Sequence, residues 1–386
     1  MTQKIVTRNF LLMCSAQFVF SAVFFALMPT LPIYLSRLGT KEAEIGVLIG
    51  VLTVSSLIIR PFVGRALLKI PERRFMIAGN LIIVFCSIVY LFAKPFLPLF
   101  VLRAIHGVGF GLFSTAAFTL IINITPEVHR GQSVGYFYVA INVATAIAPA
   151  FGIFLINRFN FTVLFLVCAG LSLCSLLVTL KLEKGHHALP ETPIIRHQPI
   201  LSREALPPAI MGLMSNTIWG ALNAFFPLFA LTHGVGNPGI FFTVFAAVLL
   251  LGRGFGGKIL DNYSKEKVIV PCLAVQLIAM LTLSFSTTLP MFLLVAVMWG
   301  AGNALLYPIL MVSAIERAGS SRGPALGTYT ALVDLGTGMG SVIMGIIVQW
   351  TNYRTMFLCL ACMSFMNLLY FNFFVKKKGV EGYAHL

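Results

Sequence analysis

The sequence predicts an all-α membrane protein with twelve membrane-spanning helices in two related six-helix bundles. Hydrophobic residues make up 58% of the 386 residues and charged residues only 10%, whereas soluble domains are about 45–50% apolar and about 25% charged. Apolar runs such as 161–180 reach the roughly 20 residues that cross about 30 Å of hydrocarbon, and they lack the alternation of barrel strands. A repeat completes the argument: RPFVGRALL begins at Arg60 and RGFGGKILD at Arg253, and 253 − 60 = 193.

Charged, Gly-containing and Pro-containing breaks divide the chain into twelve spans. The first span follows Lys4 and Arg8. It is longer than the apolar core of about 7–15 residues in a signal peptide, so we interpret it as a retained helix. The predicted spans are 9–34, 45–66, 74–93, 97–123, 131–156, 161–181, 206–232, 238–260, 267–287, 290–314, 323–348 and 354–375.

Most of the positively charged residues fall on one side of the predicted membrane. With twelve spans, 21 of the 27 Lys and Arg residues fall on the side of the termini and 5 on the opposite side, and Arg103 alone lies inside a span. Cytoplasmic loops carry the excess of Lys and Arg. The sequence therefore predicts a bacterial cytoplasmic (inner) membrane protein with both termini in the cytoplasm. The net charge of +15 then needs no nucleic acid as a partner.

A polar segment rich in Pro and His joins the two predicted bundles. Its residues His186, His187 and His197 are candidate metal ligands, but a solvated linker is the interpretation we favour. Cys359 and Cys362 form a Cys-x-x-Cys inside the last apolar span, where packing is favoured over a redox or zinc site. We predict no metal and no cofactor. The predicted segments are an N-terminal bundle (1–183), a cytoplasmic linker (184–205), a C-terminal bundle (206–375) and a cytoplasmic tail (376–386).

The two halves match beyond the opening pair of sequences. RGQSVGYF (130–137) aligns with RGPALGTY (322–329) at an offset of 192, and Gly135, Ala144 and Ala148 align with Gly327, Gly336 and Gly340. A twofold repeat across twelve membrane helices predicts a secondary transporter with its substrate site near the midplane between the halves.

These motifs resemble the major facilitator superfamily over essentially the whole chain. The loop between helices two and three of that family resembles Gly64 to Arg74, and its half-repeat resembles Gly257 to Lys267. The resemblance implies the fold of that family, a monomer, and a likeness to twelve-span drug:proton antiporters. Further matches are Arg103, Gly107 and Gly109 in helix four, Pro29 and Pro32 in helix one, and Gly135, Pro149 and Gly152 in helix five, where Ala144 and Ala148 replace two glycines of the antiporter motif.

The resemblance implies a gating role for the repeated loop. In the family, a loop Asp is associated with holding one gate conformation by contact with a helix N-terminus. Here the first copy has Leu68 and the second keeps Asp261. We expect Asp261 to be the remaining acidic latch; the alternative is a solvated loop charge. The implied gating residues are Arg60, Gly64, Arg65, Arg253, Gly257 and Asp261, and the implied helix-packing residues are Gly135, Pro149, Gly152, Gly336 and Gly340.

Polar and aromatic residues recur at helical spacing on spans one, four, seven and ten, which are the cavity-lining helices of that family. Interhelical hydrogen bonding explains any single stripe equally well, but four stripes together favour a solute cavity. The residues are Gln17, Ser21 and Phe24; Arg103, His106, Phe110 and Ser114; Asn216, Trp219 and Asn223; and Trp299, Asn303 and Tyr307.

Three ionisable residues are candidates for proton coupling. Arg103 lies inside span four, where a cation costs about 2.5–3.5 kcal/mol. We expect it to contact substrate or to take part in proton coupling; the alternative is a side chain that extends to the outer interface. His106 lies one turn away. Asp334 is the one acid within a span, about 18 Å deep from Arg322 at about 1.5 Å per residue, where the bilayer favours an uncharged carboxyl group. It is a candidate proton carrier. The alternative is a structural carboxylate, because Asp334 points away from the Gly336 stripe, which we expect to pack on the other half.

The sequence therefore predicts a proton-coupled exporter of a small organic solute or drug. Proton-driven uptake or facilitated diffusion of a polar metabolite is the alternative, and a non-transporting receptor is a distant one. The few ionisable groups favour a neutral, apolar or anionic solute. No paired intramembrane acids and no His-Glu-x-x-His or nucleophile motif occur in the sequence, so we predict no enzyme activity.

Overall fold

The computed structural model describes residues 7–93, 96–125, 129–183, 201–318 and 322–375, without side-chain detail for 130–131, 255–262 and 322. Twelve α-helices form almost all of this part of the chain, and a short π-helix, Phe371–Val375, extends the last one. They are α1 (Arg8–Arg37), α2 (Glu42–Ala66), α3 (Glu72–Val89), α4 (Leu97–Asn123), α5 (Arg130–Arg158), α6 (Phe161–Leu180), α7 (Leu206–Thr232), α8 (Gly239–Asn262), α9 (Lys265–Phe285), α10 (Leu289–Arg317), α11 (Arg322–Trp350) and α12 (Tyr353–Tyr370).

The prediction of twelve helices is confirmed. Helices α4 and α7 begin and end at the predicted residues, and the other boundaries differ by a few residues. Nine of the helices are long and apolar enough to cross a membrane, as measured over the described residues. Helix α3 falls short because its first turn carries the three charged residues Glu72, Arg73 and Arg74, and α7 is less apolar because it contains prolines and asparagines.

Helix starts repeat between the halves as well. The Asn160 side chain caps α6 by accepting a hydrogen bond from the Val163 amide at 2.9 Å. The Asn352 side chain caps α12 in the same way, accepting from the Thr355 amide at 2.9 Å. The two caps are 192 residues apart (352 − 160), and a side-chain acceptor at this position satisfies an amide that the helix leaves unpaired.

The chain folds into two compact units. The first contains α1, most of α2 and α3 to α6, and the second contains α7 to α12 together with Lys41–Gly46. Each unit uses the same helix pairs: α1 packs on α5 and α6, and α3 packs on α4 and α6; correspondingly, α7 packs on α11 and α12, and α9 packs on α10 and α12. The repeat in the sequence is therefore a repeat of packing.

Buried polar residues hold the helices of each unit together. The Ser175 hydroxyl of α6 donates to the Ala16 carbonyl of α1 at 3.1 Å. At the matching position, 192 residues later, the Asn367 amide of α12 donates to the Met211 carbonyl of α7 at 3.1 Å. Such bonds stabilise helix pairs in a membrane by about 0.6 kcal/mol on average.

The segment before α7 packs on the start of α11 within the second unit. The buried Ser202 amide donates to the Thr328 hydroxyl at 2.9 Å. The Ser202 hydroxyl donates to Glu204 at 2.8 Å. The Glu204 backbone amide, and after it this hydroxyl, hold the pKa of the exposed Glu204 below its ordinary value.

Candidate functional site

Aromatic residues form the contact between α1 and α4 in the first unit. The ring of Phe20 stacks on Phe113 with centroids 3.8 Å apart. Phe24 and Phe110 lie 4.7 Å apart, and both are half-buried. A tilted ring pair at the distance between Phe24 and Phe110 is worth about 0.5–1.5 kcal/mol beyond its burial. The predicted residues Phe24 and Phe110 thus lie side by side on one partly open aromatic surface.

Polar atoms without partners lie on the same two helices. The Gln17 amide nitrogen donates to the Ser21 hydroxyl at 2.8 Å, and both side chains are buried. The Gln17 Oε1 and the Ser114 Oγ find no hydrogen-bond partner among the described residues. A buried polar atom without a partner costs free energy, so this surface favours a bound molecule that supplies hydrogen bonds.

Arg103 is turned into the first unit and does not extend to the outer interface. Only 6% of its surface is exposed. Its Nε donates to the Leu48 carbonyl of α2 at 2.8 Å, and its Nη2 donates to the Ile49 carbonyl at 3.3 Å. Two charge-assisted hydrogen bonds explain how α4 carries a cation in the bilayer. The geometry links α4 to α2.

His106 lies beside Arg103 on α4 and is also buried. Its Nδ1 lies 3.0 Å from the hydroxyl of Tyr90, the residue that follows the last turn of α3, and the Tyr90 ring stacks on Phe165 of α6 at 5.3 Å. The predicted candidate His106 is therefore part of a packed contact of α3, α4 and α6. The sequence analysis missed Tyr90, because a partner 16 residues away leaves no periodic signal.

The stripe on α7 has an aromatic part and a polar part. Trp219 stacks on Phe245 of α8 at 4.9 Å. The Asn216 amide donates to the Gly212 carbonyl one turn earlier at 3.0 Å. Asn223 is only 7% exposed, and its Oδ1 has no partner among the described residues. Of the three predicted residues, Asn223 is therefore the one with a buried polar atom that a solute could hydrogen-bond.

The stripe on α10 has one buried and two half-buried residues, as the stripe on α7 does. Trp299 is fully buried, and its Nε1 has no acceptor in the described part of the chain. Its backbone carbonyl accepts a hydrogen bond from the Asn303 amide at 2.8 Å. The Tyr307 carbonyl accepts from the Tyr329 hydroxyl of α11 at 3.1 Å. Trp299 therefore offers an unused donor, whereas the backbone of Tyr307 is part of a helix contact.

The predicted residues of α1 and α7 occupy matching positions. The glycine contacts described below align α1 with α7 at an offset of 195 residues. This offset pairs Ser21 with Asn216 (216 − 21 = 195) and Phe24 with Trp219 (219 − 24 = 195). Each half therefore has a polar residue and an aromatic residue at matching positions of its first helix.

Asp334 lies half-buried near the middle of α11. At about 100° per residue, it is about 140° around the helix from Met339, whose exposure marks the lipid face. It lies within about 20° of Ser341 and Gly345. A Cβ on Gly345 would lie 2.7 Å from the Glu42 carbonyl, so the far end of this face is closely packed. Asp334 therefore faces away from lipid. It lies on the face of Ser341 and Gly345, closer to the first residue of α11.

The prediction that the stripe of Gly336 and Gly340 packs on the other half is wrong. A Cβ on Gly336 would lie 2.3 Å from the Leu213 carbonyl, and one on Gly340 would lie 2.0 Å from the Thr217 carbonyl. Both carbonyls belong to α7, so the stripe packs within its own half. A sequence repeat does not reveal which neighbour a glycine face meets, and α7 is the nearest backbone.

The other predicted packing residues lie on α5, in the first unit, and only some of them are closely packed. A Cβ on Gly152 would lie 2.7 Å from the Ala26 carbonyl of α1, which is the matching contact in the first unit. Pro149 is buried beside it on α5. Gly135 is exposed with nothing within 4 Å, so no close helix approach occurs at Gly135.

The residues expected to form the gate lie at the ends of α2 and α8. Gly64 and Arg65 are exposed in the last turn of α2, and Arg60 is half-buried. Arg253 is half-buried in α8. Gly257 and Asp261 lie outside the residues whose side chains are described, so the acidic latch at Asp261 stays a prediction.

The start of α3 contains a buried acid that the sequence analysis missed. Glu72 is 6% exposed, and its Oε1 accepts a hydrogen bond at 2.6 Å from the Asn123 amide at the end of α4. The comparison with the loop motif of the family pointed to Leu68, four residues earlier in the sequence. The charge-rich sequence PERR (71–74) is the signal that was available.

The described residues contain no cluster of three or more His, Cys, Asp or Glu suited to a metal ion. Cys359 is half-buried and Cys362 is exposed, and all seven cysteines are free. The candidate residues of each unit are aromatic rings, amides and hydroxyls, with Arg103 in the first unit and Asp334 in the second.

Twelve helices in two repeated units, nine of them long and apolar enough over the described residues to cross a membrane, define a multi-pass membrane protein. The sequence profile of the Major Facilitator Superfamily matches residues 13–241 and 208–383. The chain belongs to the Major Facilitator Superfamily. Its members are transporters and not enzymes, in agreement with the prediction from sequence.

Similar proteins agree with this assignment. The staphylopine export protein of Staphylococcus aureus is 23% identical over 338 residues, which are 83% of this chain and 84% of that protein. An uncharacterised transporter of the superfamily from Salmonella typhimurium is 26% identical over 355 residues, 86% of this chain and 87% of that one.

Solved structures share the fold. A variant of the nucleoside transporter NupG superposes with a TM-score of 0.81 at 14% identity, over 95% of this chain and 100% of that chain. The human organic anion transporter MFSD10 gives 0.67 at 14% identity, over 94% and 98%. At these identities the likeness concerns the fold alone.

Proposed function

We propose that this chain exports a small organic solute in exchange for protons, by alternating access. The single observation that carries the proposal is Asp334, a half-buried carboxyl group near the middle of α11 on a face directed away from lipid. An ionisable group at this depth costs about 2.5–3.5 kcal/mol when charged. Proton uptake removes this cost, so Asp334 is suited to load and release one proton per cycle.

The direction of transport rests on similarity. The staphylopine export protein, similar over most of its length, carries a solute outward, and the first-helix motif of Pro29 and Pro32 resembles drug:proton antiporters. The bias of Lys and Arg toward one side supports a cytoplasmic membrane location with both termini in the cytoplasm. We propose a monomer divided into the bundles 1–183 and 206–375, the linker 184–205 and the tail 376–386.

The solute contacts come from the four stripes. The half-buried rings of Phe24, Phe110 and Trp219 suit an apolar or aromatic body. The unpaired Oδ1 of Asn223 and Nε1 of Trp299 suit a small number of hydrogen-bonding groups on that body. Pockets of this composition bind drug-sized molecules, and the surface favours a neutral or anionic solute.

Solute flux in proteoliposomes with an imposed pH gradient tests the proposal. The panel contains a cationic dye, a sugar, a nucleoside and an aromatic organic anion. We expect gradient-driven flux of at least one solute in the wild type and its loss in Asp334→Asn. Glu316→Gln is the matched control, because it removes an exposed carboxylate from the same unit and is expected to transport normally.

Three outcomes decide between the candidate functions. Gradient-driven accumulation in the opposite direction would establish uptake instead of export. Equal downhill flux with and without the gradient would establish facilitated diffusion and leave Asp334 a structural carboxylate. Full gradient dependence in Asp334→Asn would move proton coupling to another residue.

A further inference from the structure

Asn142 of α5 occupies the position in the first half that Asp334 occupies in the second (334 − 142 = 192). The local structure repeats with it. The Thr145 hydroxyl donates to the Ile141 carbonyl at 2.9 Å, and the Thr337 hydroxyl donates to the Val333 carbonyl at 3.2 Å. Both the donors and the acceptors of these bonds are 192 residues apart.

The two helices also have the same orientation in their units. Each presents one face to lipid, and three exposed apolar residues on α5 match three on α11 at the offset of 192. At about 100° per residue, Asn142 lies about 140° from the first of them, as Asp334 does. The matching pairs are Ile147 and Met339, Phe151 and Ile343, and Phe154 and Ile346.

The surroundings of Asn142 leave its amide group without a partner. Only 8% of its surface is exposed, and it makes no hydrogen bond to any residue in the described ranges. Neither atom of the amide belongs to the fully buried polar atoms that lack a hydrogen-bond partner, so the small exposed part of Asn142 includes its amide group. The amide is therefore accessible to a partner that arrives from outside the chain.

We propose that Asn142 lines the solute path in the first half and hydrogen-bonds the solute, at the position where the second half presents Asp334. The proposal rests on the proposed function. An amide both donates and accepts hydrogen bonds but takes up no proton. Of this repeated pair, only the residue on α11 therefore binds a proton, and the residue on α5 selects solutes by a hydroxyl, amide or carboxylate group.

Cysteine accessibility tests whether Asn142 lines the path without knowledge of the solute. The seven native cysteines are first replaced by Ser or Ala. Single cysteines at Asn142 and at Ile147, five residues apart, are then treated in membrane vesicles with the water-soluble reagent MTSET, applied from either face. Labelling with a maleimide after denaturation in detergent shows that each variant is present and intact.

We expect Asn142→Cys to react from at least one face and Ile147→Cys, on the lipid face, to remain unmodified. Asp334→Cys and Met339→Cys are the matching pair in the second half and are expected to behave in the same way. An Asn142→Cys as unreactive as Ile147→Cys would overturn the proposal. This result does not depend on proton coupling, so it separates failure of the proposal from failure of the proposed function.

Transport kinetics test the hydrogen bond. We expect Asn142→Ala to raise KM about tenfold for the solute that the flux panel identifies, the effect of about 1.4 kcal/mol for one lost hydrogen bond in a desolvated site. Its dependence on the pH gradient should match the wild type. An unchanged KM would overturn the role in solute binding.

Discussion

The two halves share a scaffold but differ in their intramembrane charges. The first half carries Arg103, which corresponds to Val295 in the second (295 − 103 = 192). The second half carries Asp334, which corresponds to Asn142. Arg103 is buried and bonded to two carbonyls of α2, whereas Asp334 is half-buried on a face away from lipid. The comparison teaches that a repeat fixes positions and packing, while single substitutions assign the chemistry to one half.

The largest expected effect on stability concerns the contact of α7 with α11. Gly340→Ala introduces the residue that the first half has at Ala148. A Cβ at Gly340 would lie 2.0 Å from the Thr217 carbonyl, so the helices must separate. We expect a loss of about 3 kcal/mol, measured as a lower unfolding temperature in detergent.

Gly327→Ala is the control on the same helix. Nothing lies within 4 Å of a Cβ there, and Ala favours a helix over Gly by about 1 kcal/mol. We therefore expect unchanged or higher stability. Equal destabilisation by both substitutions would show that close approach to α7 is not the reason for the glycine.

A smaller effect separates the two roles of Arg103. Arg103→Lys keeps a buried cation but replaces the planar guanidinium, whose Nε and Nη2 meet the Leu48 and Ile49 carbonyls, by a single nitrogen on a shorter side chain. We expect it to cost about 2 kcal/mol, the size of one hydrogen bond to a charged group. Arg103→Met also removes the charge, with its insertion cost of about 2.5–3.5 kcal/mol, and should be the more stable of the two.

Unfolding temperatures and gradient-driven flux are measured for both variants. An Arg103→Met protein that unfolds at a lower temperature than the wild type but still transports would identify the Arg as a structural link between α2 and α4. A stable Arg103→Met protein that has lost all coupling would contradict this and assign Arg103 to transport.

The smallest effects concern a matching pair of contacts at helix ends. Glu72 accepts from Asn123 in the first half, and Lys265 pairs with Glu316 in the second, with both members 193 residues apart (265 − 72 and 316 − 123). Glu72 is buried and Glu316 is exposed. We expect Glu72→Gln to cost about 1 kcal/mol and Glu316→Gln less than about 0.5 kcal/mol, by thermal unfolding. The reverse order would show that burial does not set these energies.

The helices were predictable because their signals are local. The bounds of α4 and α7 follow from Leu97 after a loop, Pro at the first positions and apolar runs of span length. Helical spacing also singled out Phe24 and Phe110 as candidates on two separate helices, although it did not predict that their rings lie side by side. The sequence repeat likewise predicted that α5 and α11 correspond.

The partners of the site residues were not predictable from sequence. Arg103 bonds to backbone carbonyls of α2, and any residue type supplies a carbonyl. His106 pairs with Tyr90 across a turn of the chain, and the Gly336 stripe meets α7 instead of the other half. These contacts depend on the rotation of each helix within its bundle. Periodicity gives the faces of a helix but not the neighbour that each face meets.

Proton release on solute binding tests the central claim most directly. The purified protein is mixed with the solute found in the flux panel, in weakly buffered solution with a pH-sensitive dye. We predict that the wild type releases up to one proton per solute bound and that Asp334→Asn releases none while still binding. Release from Asp334→Asn equal to that of the wild type would contradict the assignment of Asp334 as the proton site.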